Sequence, residues 1–284
     1  MKNYLKLLRV KHYIKNFLIF AAIIFSGQMI NPKKLTDCIV GFVVFCLVSS
    51  IVYIINDIKD KNKDALHPQK RNRPIASGAI SVKAAIITAV ICFVLATAGF
   101  IYIFNTTALL ILLAYVAINI LYSFGLKNIP LVDVTILVSG FLLRVLLGAV
   151  ITGIEVSNWL YLTVIAFSFF MAFGKRRNEI KTVGSNKTRN VLSAYNASFL
   201  DKSMYMCLTM ANTFYALWAM SHSNNLIFIT VPVVLIITLK YCLDVENETS
   251  DGDPTEVLFS DKSLIILCGI YALILLYILY FSRK

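Results

Sequence analysis

Residues 38–64 decide the fold, and they read CIVGFVVFCLVSSIVYIINDIKDKNKD. No residue from Cys38 to Ile55 is charged, and a helix that crosses a bilayer core needs about 20 apolar residues. The run ends in Asn56 and Asp57, after which lysines and aspartates dominate. We therefore predict a membrane-spanning helix whose polar end lies at the membrane surface.

The composition of the whole chain extends this interpretation. Hydrophobic residues make up 58% of the 284 residues and charged residues only 15%, against roughly 45–50% and 25% in soluble proteins. These values exclude a disordered chain, a coiled coil and an ordinary soluble enzyme. The net charge of +12 would suggest nucleic acid as partner of a soluble protein, but the apolar content excludes a nucleic-acid binder.

Nine apolar runs predict an all-α, polytopic bundle of about nine transmembrane helices. We expect one integral-membrane domain over residues 1–284, with polar loops at about 57–83, 175–202 and 244–262. The runs lie near residues 14–30, 36–56, 84–104, 107–125, 131–152, 159–174, 203–221, 225–243 and 263–281.

The charged residues are unequally divided between the two sides that nine spans define. The side holding the N-terminus and the long loops carries 22 of the 27 Lys and Arg residues and 13 of the 15 acids. Because cytoplasmic segments are enriched in Lys and Arg, we predict a cell-membrane protein whose N-terminus and active-site loops are cytoplasmic. Polar chemistry on one face suits an interfacial enzyme better than a channel, which needs polar groups through its full depth.

The aspartates Asp57, Asp60 and Asp64 are spaced to lie on one face of a helix. Carboxylates crowded on one stripe repel each other unless a cation joins them. Mg²⁺ takes oxygen ligands and is typically held by one or two carboxylates together with substrate phosphates. The stripe therefore predicts a Mg²⁺–diphosphate site; the alternative is a solvated helix end that the neighbouring lysines neutralise.

A basic segment follows the aspartates, with Lys70, Arg71 and Arg73 between Pro68 and Pro74. Arginine binds phosphate oxygens through two parallel hydrogen bonds, and lysine binds them as a point charge. Beside an aspartate cluster, we interpret the segment as the second half of a phosphate clamp. Taken alone, it could also be a topology signal or a contact to lipid headgroups.

The pattern NDxxDxxxD after the second apolar run, followed by HPxKRxRPI, resembles the UbiA superfamily of intramembrane prenyltransferases. Further stretches are similar to its branch of decaprenyl-phosphate phosphoribosyltransferases, and they are distributed over the whole chain. These stretches are KHYIKN at 11–16, YSFGLK at 122–127, SGFLLR at 139–144, GKRRNE at 174–179 and the acidic segment at 251–261.

The resemblance implies Mg²⁺-dependent transfer of 5-phosphoribose from phosphoribosyl pyrophosphate to a polyprenyl phosphate in the membrane, and it leaves a homo-oligomer open. It implies Asp57, Asp60 and Asp64 as metal ligands, with Asp57, Asp60 and Lys127 in catalysis, where Lys127 would steady the leaving diphosphate. It also implies substrate contacts from Lys15, Asn16, Asn56, Lys70, Arg71, Arg73, Tyr122, Arg144, Lys175, Arg176 and Glu179.

One departure from the aromatic prenyltransferases of the superfamily bears on the donor. Where those enzymes carry a second aspartate motif, this chain has Lys175-Arg176-Arg177-Asn178-Glu179, with three cations and one acid. A cationic site suits a donor with an additional phosphate.

Two alternatives stay open: prenyl transfer from a prenyl diphosphate, and transport of an anionic solute or lipid phosphate. Transport would require polar residues on both faces, and the exported loops are almost free of charge.

Arg144 lies inside an apolar run, eleven residues after Asp133. At 1.5 Å per residue this places it about 16 Å along the helix, near the middle of the membrane. An intramembrane charge is costly and indicates function by default. Two interpretations stay open: a contact to substrate phosphate, or a structural pair inside the bundle.

Overall fold

The structure is a computed structural model that describes residues 2–66, 70–183, 190–246 and 261–282. Across these ranges the chain is helical and has no strand, which confirms the predicted all-α class. The helices are α1 (Lys2–Leu7), α2 (Ala21–Phe25), α3 (Pro32–Lys59), α4 (Lys61–Ala65), α5 (Val82–Ile103), α6 (Thr106–Phe124), α7 (Val132–Thr152), α8 (Asn158–Val183), α9 (Ala197–Ser221), α10 (Thr230–Glu246) and α11 (Lys262–Tyr280).

Six helical segments within the described residues are long and apolar enough to cross a membrane. They are α3, α5, α6, α7, α11 and the segment Asn225–Glu246, which joins a short 3₁₀ helix to α10. Helices α8 and α9 cover two further predicted runs. The count of nine spans and the orientation stay predictions.

Polar residues at the helix starts explain where several of these helices begin. Asn31 accepts a hydrogen bond from the Lys34 amide and is followed by Pro32 at the first turn of α3. Ser81 caps α5 and Asn196 caps α9 in the same way. A side-chain oxygen at this position satisfies an amide that has no partner within the helix.

The predicted first span at 14–30 is not a regular α-helix. Residues Val10–Phe20 form a 3₁₀ helix, and α2 ends at Phe25. A 3₁₀ helix of 11 residues is unusual, since runs longer than 3–4 residues are uncommon. Residues of α3 contact this one from outside: the hydroxyls of Tyr13 and Ser50 are hydrogen-bonded at 2.8 Å, and the Ile19 carbonyl accepts from Cys38. Apolarity alone could not distinguish the two helix types.

The predicted polar loop at 175–202 is partly wrong, because α8 continues to Val183. Lys175, Arg176 and Glu179 therefore lie on a helix. The apolar run ends near residue 174, but Lys, Arg and Glu are good helix formers, and an Arg176–Glu179 pair spans one turn. Likewise, α3 extends to Lys59 and α10 to Glu246, so the loops predicted at 57–83 and 244–262 begin later.

The chain groups into two compact units. The first contains Met1–Ile23, Ile30–Phe124 and Leu143–Ile154; the second contains Ile24–Met29, Gly125–Leu142 and Glu155–Lys284. The organisation as one domain over 1–284 stays a prediction.

An apolar cluster under the polar end of α3 organises the first unit. It joins Leu7 of α1 and Ile54 of α3 to Ile75, Ile80 and Ala85, all of them buried. Burying such side chains stabilises a fold by roughly 1.5–3 kcal/mol each in water. The cluster fixes the chain before Arg9 and after Arg73, which matters for the site.

Two clusters form the core of the second unit. The larger one joins α8, α9, α10, α11 and the first turns of α7 around Phe170 and Met204. The smaller one surrounds Trp218, with Phe25 packed edge-on against its ring at 5.2 Å. These clusters hold α8 and its cationic end in place.

Candidate active site

The polar end of α3 brings two of the three predicted aspartates together. Helix α3 ends at Lys59, and the backbone of Asp60 leaves the helical conformation before α4 begins. Their spacing predicted one face of a continuous helix. The structure instead divides the three aspartates between α3, the break at Asp60 and α4. Asp57 and Asp64 are nevertheless both buried and both contact Arg73, whereas Asp60 is half-buried.

Arg73 joins the two carboxylates through a single nitrogen. Its Nη1 donates to Asp64 Oδ2 at 2.6 Å and to Asp57 Oδ1 at 3.1 Å. The predicted basic segment thus meets the predicted aspartate segment through this residue. Arg71 is exposed and Lys70 half-buried on the short 3₁₀ helix that precedes it.

A second guanidinium, that of Arg9, contacts the same oxygen of Asp57. Arg9 Nη2 donates to Asp57 Oδ1 at 2.5 Å, and the guanidinium lies 4.5 Å from the centre of the Tyr53 ring. Tyr53 is one helical turn before Asp57 and therefore on the same face of α3. The backbone of Arg9 is left-handed, with φ 53° and ψ 44°, a conformation that costs energy and clusters at functional sites.

The sequence analysis did not single out Arg9, which is one of the 22 Lys and Arg residues on the side of the N-terminus and the long loops. The contact joins residues 48 positions apart, and no local pattern encodes it. The signal that could have found it is its place two residues before the KHYIKN stretch.

Asn56 and Lys59 contact the end of α6 rather than the carboxylates. The Ser123 hydroxyl donates to Asn56 Oδ1 at 2.5 Å. Lys59 Nζ donates to the Ser123 carbonyl at 2.9 Å and lies over the Phe124 ring. Arg9 and Arg73, rather than Lys59, therefore neutralise Asp57.

The donor set at Asp57 and Asp64 fits a divalent cation of the Mg²⁺ type. Within the described ranges no three His, Cys, Asp or Glu side chains are grouped as ligands of a metal ion, so the predicted triad of aspartates is not assembled. Two buried carboxylates do converge on one cationic atom, however. Mg²⁺ is usually bound through one or two carboxylates, with phosphate oxygens and water completing its octahedron.

Asn16 and Arg144 form a separate buried cluster in the first unit. Arg144 Nε donates to Asn16 Oδ1 at 2.7 Å, and Asn16 Nδ2 lies 3.1 Å from Cys46 Sγ. The guanidinium lies 4.6 Å from the Phe45 ring centre and 5.3 Å from that of Tyr115. These contacts suit the structural interpretation of Arg144, because they tie α7 to the 3₁₀ segment.

In the second unit, Arg176 belongs to a buried ion pair. Its Nε donates to Asp133 Oδ2 at 2.7 Å, and its Nη1 donates to Glu179 at 2.7 Å. The Tyr195 hydroxyl donates to the other oxygen of Asp133 and accepts from the Leu131 amide at 2.6 Å. Burial and, after it, the Asp133 carboxylate raise the pKa of the Tyr195 phenol to about 12, although the hydrogen bond from the Leu131 amide lowers it.

Two further ion-pair groups hold the ends of α8 and α10 in the second unit. Arg177 contacts Asp201 and Glu246. Lys240 contacts Asp244 and Asp261. The Lys240 ammonium, together with the hydroxyl and amide of Ser263, holds the pKa of Asp261 below its usual range.

The substrate contacts expected of the remaining residues stay predictions. Lys15 and Tyr122 are half-buried in the first unit, and Lys127 and Lys175 are half-buried in the second. His67 and the acidic residues at 251–256 lie outside the described residues.

Comparison with known proteins shows the class. Residues 17–260 match the UbiA prenyltransferase family. The chain is 36% identical to the decaprenyl-phosphate phosphoribosyltransferase of Corynebacterium glutamicum, over 93% of this chain and 82% of that protein. The enzyme of the same name from Mycolicibacterium smegmatis is 34% identical, over 93% of this chain and 88% of that protein.

Solved structures agree on the fold. A UbiA homolog from Archaeoglobus fulgidus bound to GPP and Mg²⁺ has a TM-score of 0.73 and 21% identity, and the match covers 98% of this chain and 99% of that one. Its form bound to Cd²⁺ gives a TM-score of 0.71 at 20% identity, with the same coverage.

The helices and the relatives together define a multi-pass membrane protein that is a transferase. The chain belongs to the UbiA prenyltransferase family, as the NDxxDxxxD pattern predicted.

Proposed function

We propose that the protein transfers 5-phosphoribose from phosphoribosyl pyrophosphate to a decaprenyl-like polyprenyl phosphate. The products are pyrophosphate and polyprenyl-phosphoryl-5-phosphoribose. The observation that carries the proposal is the name shared by its relatives, which are 31–36% identical over 92–93% of the chain. We place the reaction at the cytoplasmic face of the cell membrane, which is the side that the excess of Lys and Arg predicts for the aspartates.

The site supports this proposal through the chemistry of its carboxylates and cations. Asp57 and Asp64 would hold Mg²⁺, with Asp60 beside them. A bound Mg²⁺ supplies charge neutralisation on pyrophosphate oxygens. Arg73 and Arg9 lie against the same carboxylates, and guanidinium groups bind phosphate oxygens with bidentate geometry.

The transfer exchanges one bond at C1 of the ribose for another. The C1–O bond to pyrophosphate breaks, and pyrophosphate leaves with the bonding electron pair. A phosphate oxygen of the lipid forms the new C1–O bond. Cations already in place stabilise the departing charge, which is usually the largest contribution to catalysis. The lipid phosphate is anionic at neutral pH, so no strong general base is required.

The remaining predicted residues have roles in this scheme that follow from their chemistry. The resemblance implies that Lys127 steadies the leaving diphosphate and that Lys175 contacts substrate, each as a point charge. Tyr122 and Lys15 would orient the lipid headgroup. Arg176 and Glu179 would support the cationic end of α8 through their own pair, and Asn16 and Arg144 would position the N-terminal segment.

The test is an assay of purified protein in detergent with Mg²⁺, labelled phosphoribosyl pyrophosphate and a polyprenyl phosphate. The expected result is label in the lipid phase that disappears when EDTA is added. An Asp57→Asn preparation serves as the blank. Absence of lipid-phase label from folded protein, with several lipid lengths supplied, would contradict the proposal.

A second candidate is prenyl transfer from a prenyl diphosphate, and the family match itself favours it. A 4-hydroxybenzoate octaprenyltransferase of Shewanella loihica is 30% identical, but over only 45% of the chain. This candidate uses the same cation at the same aspartates, with the lipid as donor. It predicts that, without phosphoribosyl pyrophosphate, the protein transfers the prenyl group of a prenyl diphosphate to an aromatic or other acceptor and releases pyrophosphate.

A further inference from the structure

Two arginines occupy the carboxylates that the proposed metal would need. Arg9 and Arg73 both contact Asp57 Oδ1, and Arg73 also contacts Asp64. The four side chains carry two negative and two positive charges, so the group is neutral. A divalent cation that arrived alone would displace a guanidinium from a nearly buried carboxylate and leave a cation without its counterion, which is costly.

One apolar cluster positions both arginines. Leu7, two residues before Arg9, and Ile75, two residues after Arg73, are buried against Ile54 of α3. Ser50 also donates to the carbonyl of Leu8 at 2.9 Å. The backbones that carry both arginines are therefore anchored on α3, so an exchange of partners would fall to the guanidinium groups.

Arg9 has a second contact that remains available if its guanidinium leaves Asp57. The Tyr53 ring lies beneath it, and the face of an aromatic ring attracts a guanidinium. Its side chain is one-fifth exposed, against 2% for Asp57, so Arg9 forms the solvent side of the pair. A diphosphate that approached the carboxylates from solvent would therefore meet this guanidinium.

We propose that Arg9 is an exchangeable cation of the site: it neutralises Asp57 in the resting enzyme and transfers to the pyrophosphate group when metal and substrate bind together. Arg73 makes the corresponding transfer from Asp64. This exchange disfavours the binding of a metal ion in the absence of a diphosphate. The metal ion and the diphosphate therefore bind cooperatively. The inference rests on the proposed function only in taking a diphosphate ester as substrate.

Cooperative binding has a quantitative form that can be measured. If pyrophosphate strengthens metal binding by some factor, the metal must strengthen pyrophosphate binding by the same factor. Removing the Arg9 guanidinium removes a competitor from Asp57 and a ligand from the pyrophosphate. Metal alone should then bind more tightly and the coupling factor should fall.

The experiment measures Mn²⁺ binding to the purified full chain by electron paramagnetic resonance, with and without inorganic pyrophosphate. The variants are Arg9→Gly, Arg9→Lys and, as a matched control, Lys6→Ala. Glycine adopts the left-handed backbone of residue 9 without strain, so the first variant is expected to fold. Lys6 is an exposed cation on α1, three residues from Arg9.

We expect Mn²⁺ alone to bind Arg9→Gly about tenfold more tightly than the native protein, the factor of one lost charge-assisted contact. We expect the coupling factor between Mn²⁺ and pyrophosphate to fall by a similar amount in Arg9→Gly. Both quantities should be intermediate in Arg9→Lys and unchanged in Lys6→Ala. A purely structural role for Arg9 would weaken Mn²⁺ binding instead, and that result, or an unchanged coupling factor, would overturn the inference.

The same measurement separates this inference from the proposed function. It uses neither phosphoribosyl pyrophosphate nor a lipid. Native protein that shows the coupling and its loss in Arg9→Gly, but transfers no phosphoribose, would support the exchange of Arg9 and reject the proposed donor.

Discussion

Arg176 and Asp133 are 43 residues apart in the chain and form an ion pair at 2.7 Å whose side chains are 1% and 0% exposed. The pair joins the end of α8 to the start of α7. Both oxygens of Asp133 are used, because Tyr195 donates to the second one. A fully paired carboxylate of this kind holds two helices in one arrangement.

Removing one member of that pair should be strongly destabilising. Arg176→Ala would leave Asp133 charged and buried without its partner, which costs about 3–5 kcal/mol. We expect a lower melting temperature in detergent, measured by tryptophan fluorescence. Arg71→Ala, on an exposed arginine of the basic segment, is the control for stability. If both variants melted like the native protein, the pair would contribute nothing to stability.

Neutralising the aspartates should abolish turnover and leave the protein in the membrane. Asp57→Asn and Asp60→Asn remove negative charge from the site with little change in side-chain size, so the metal loses carboxylate ligands and the diphosphate loses the metal that would bind it. Asp37→Asn is the matched control, since Asp37 lies on the same helix 20 residues earlier. Full Mg²⁺-dependent activity in both site variants, measured as lipid-phase label, would remove these carboxylates from the mechanism.

Much of the fold and part of the site could be predicted from the sequence. A helix that crosses a membrane needs a long apolar run. The runs in the sequence therefore predicted α3, α5, α6, α7 and α11. The neighbourhood of the basic segment and the aspartates was expected from their proximity in the chain, whereas the ion pairs of Arg73 with Asp57 and Asp64 were not. Local patterns carry this kind of information because spacing along a helix or a short loop fixes distance.

The features of the fold and the site that the sequence did not predict depend on contacts between segments far apart in the chain. The 3₁₀ segment Val10–Phe20 is hydrogen-bonded to α3 through Tyr13 with Ser50 and through Ile19 with Cys38, and Arg9 meets Asp57 only when α1 packs on α3. The continuation of α8 to Val183 was missed because most residues of its last turns are polar, and ion pairs of Arg176 and Arg177 contribute to holding them. Hydrophobic periodicity contains no signal for such contacts.

Gly148 should tolerate no side chain. A Cβ added there would lie 1.9 Å from the Ile19 carbonyl oxygen, so α7 and the 3₁₀ segment would have to separate. We expect Gly148→Ala to destabilise the protein by about 1–3 kcal/mol, the usual cost of overpacking. Gly269→Ala is the control, because a Cβ there meets no atom within 4 Å. Equal melting temperatures for the two variants would mean that the two segments are not closely packed.

Arg144 should act on stability rather than on substrate affinity. Arg144→Lys keeps the charge but loses the planar group that lies over Phe45 and the Nε donor to Asn16. We expect a lower melting temperature, with the KM for polyprenyl phosphate unchanged in protein that remains folded. A raised KM at an unchanged melting temperature would instead place the guanidinium on the substrate phosphate.

Tyr195 should be a neutral donor throughout the working pH range. Its folded-state pKa of about 12 lies above the ordinary value of 10.0. A pKa raised by folding contributes stability below the unfolded pKa, and that contribution is lost as the pH rises through the folded one. We therefore expect Tyr195→Phe to lower the melting temperature by a constant amount up to about pH 10, and by less as the pH approaches 12. The loss should correspond to about 1–3 kcal/mol, since the Leu131 amide loses its acceptor. Melting curves of both proteins between pH 7 and 11 measure this, and a difference that grew with pH would contradict the assigned hydrogen bonds.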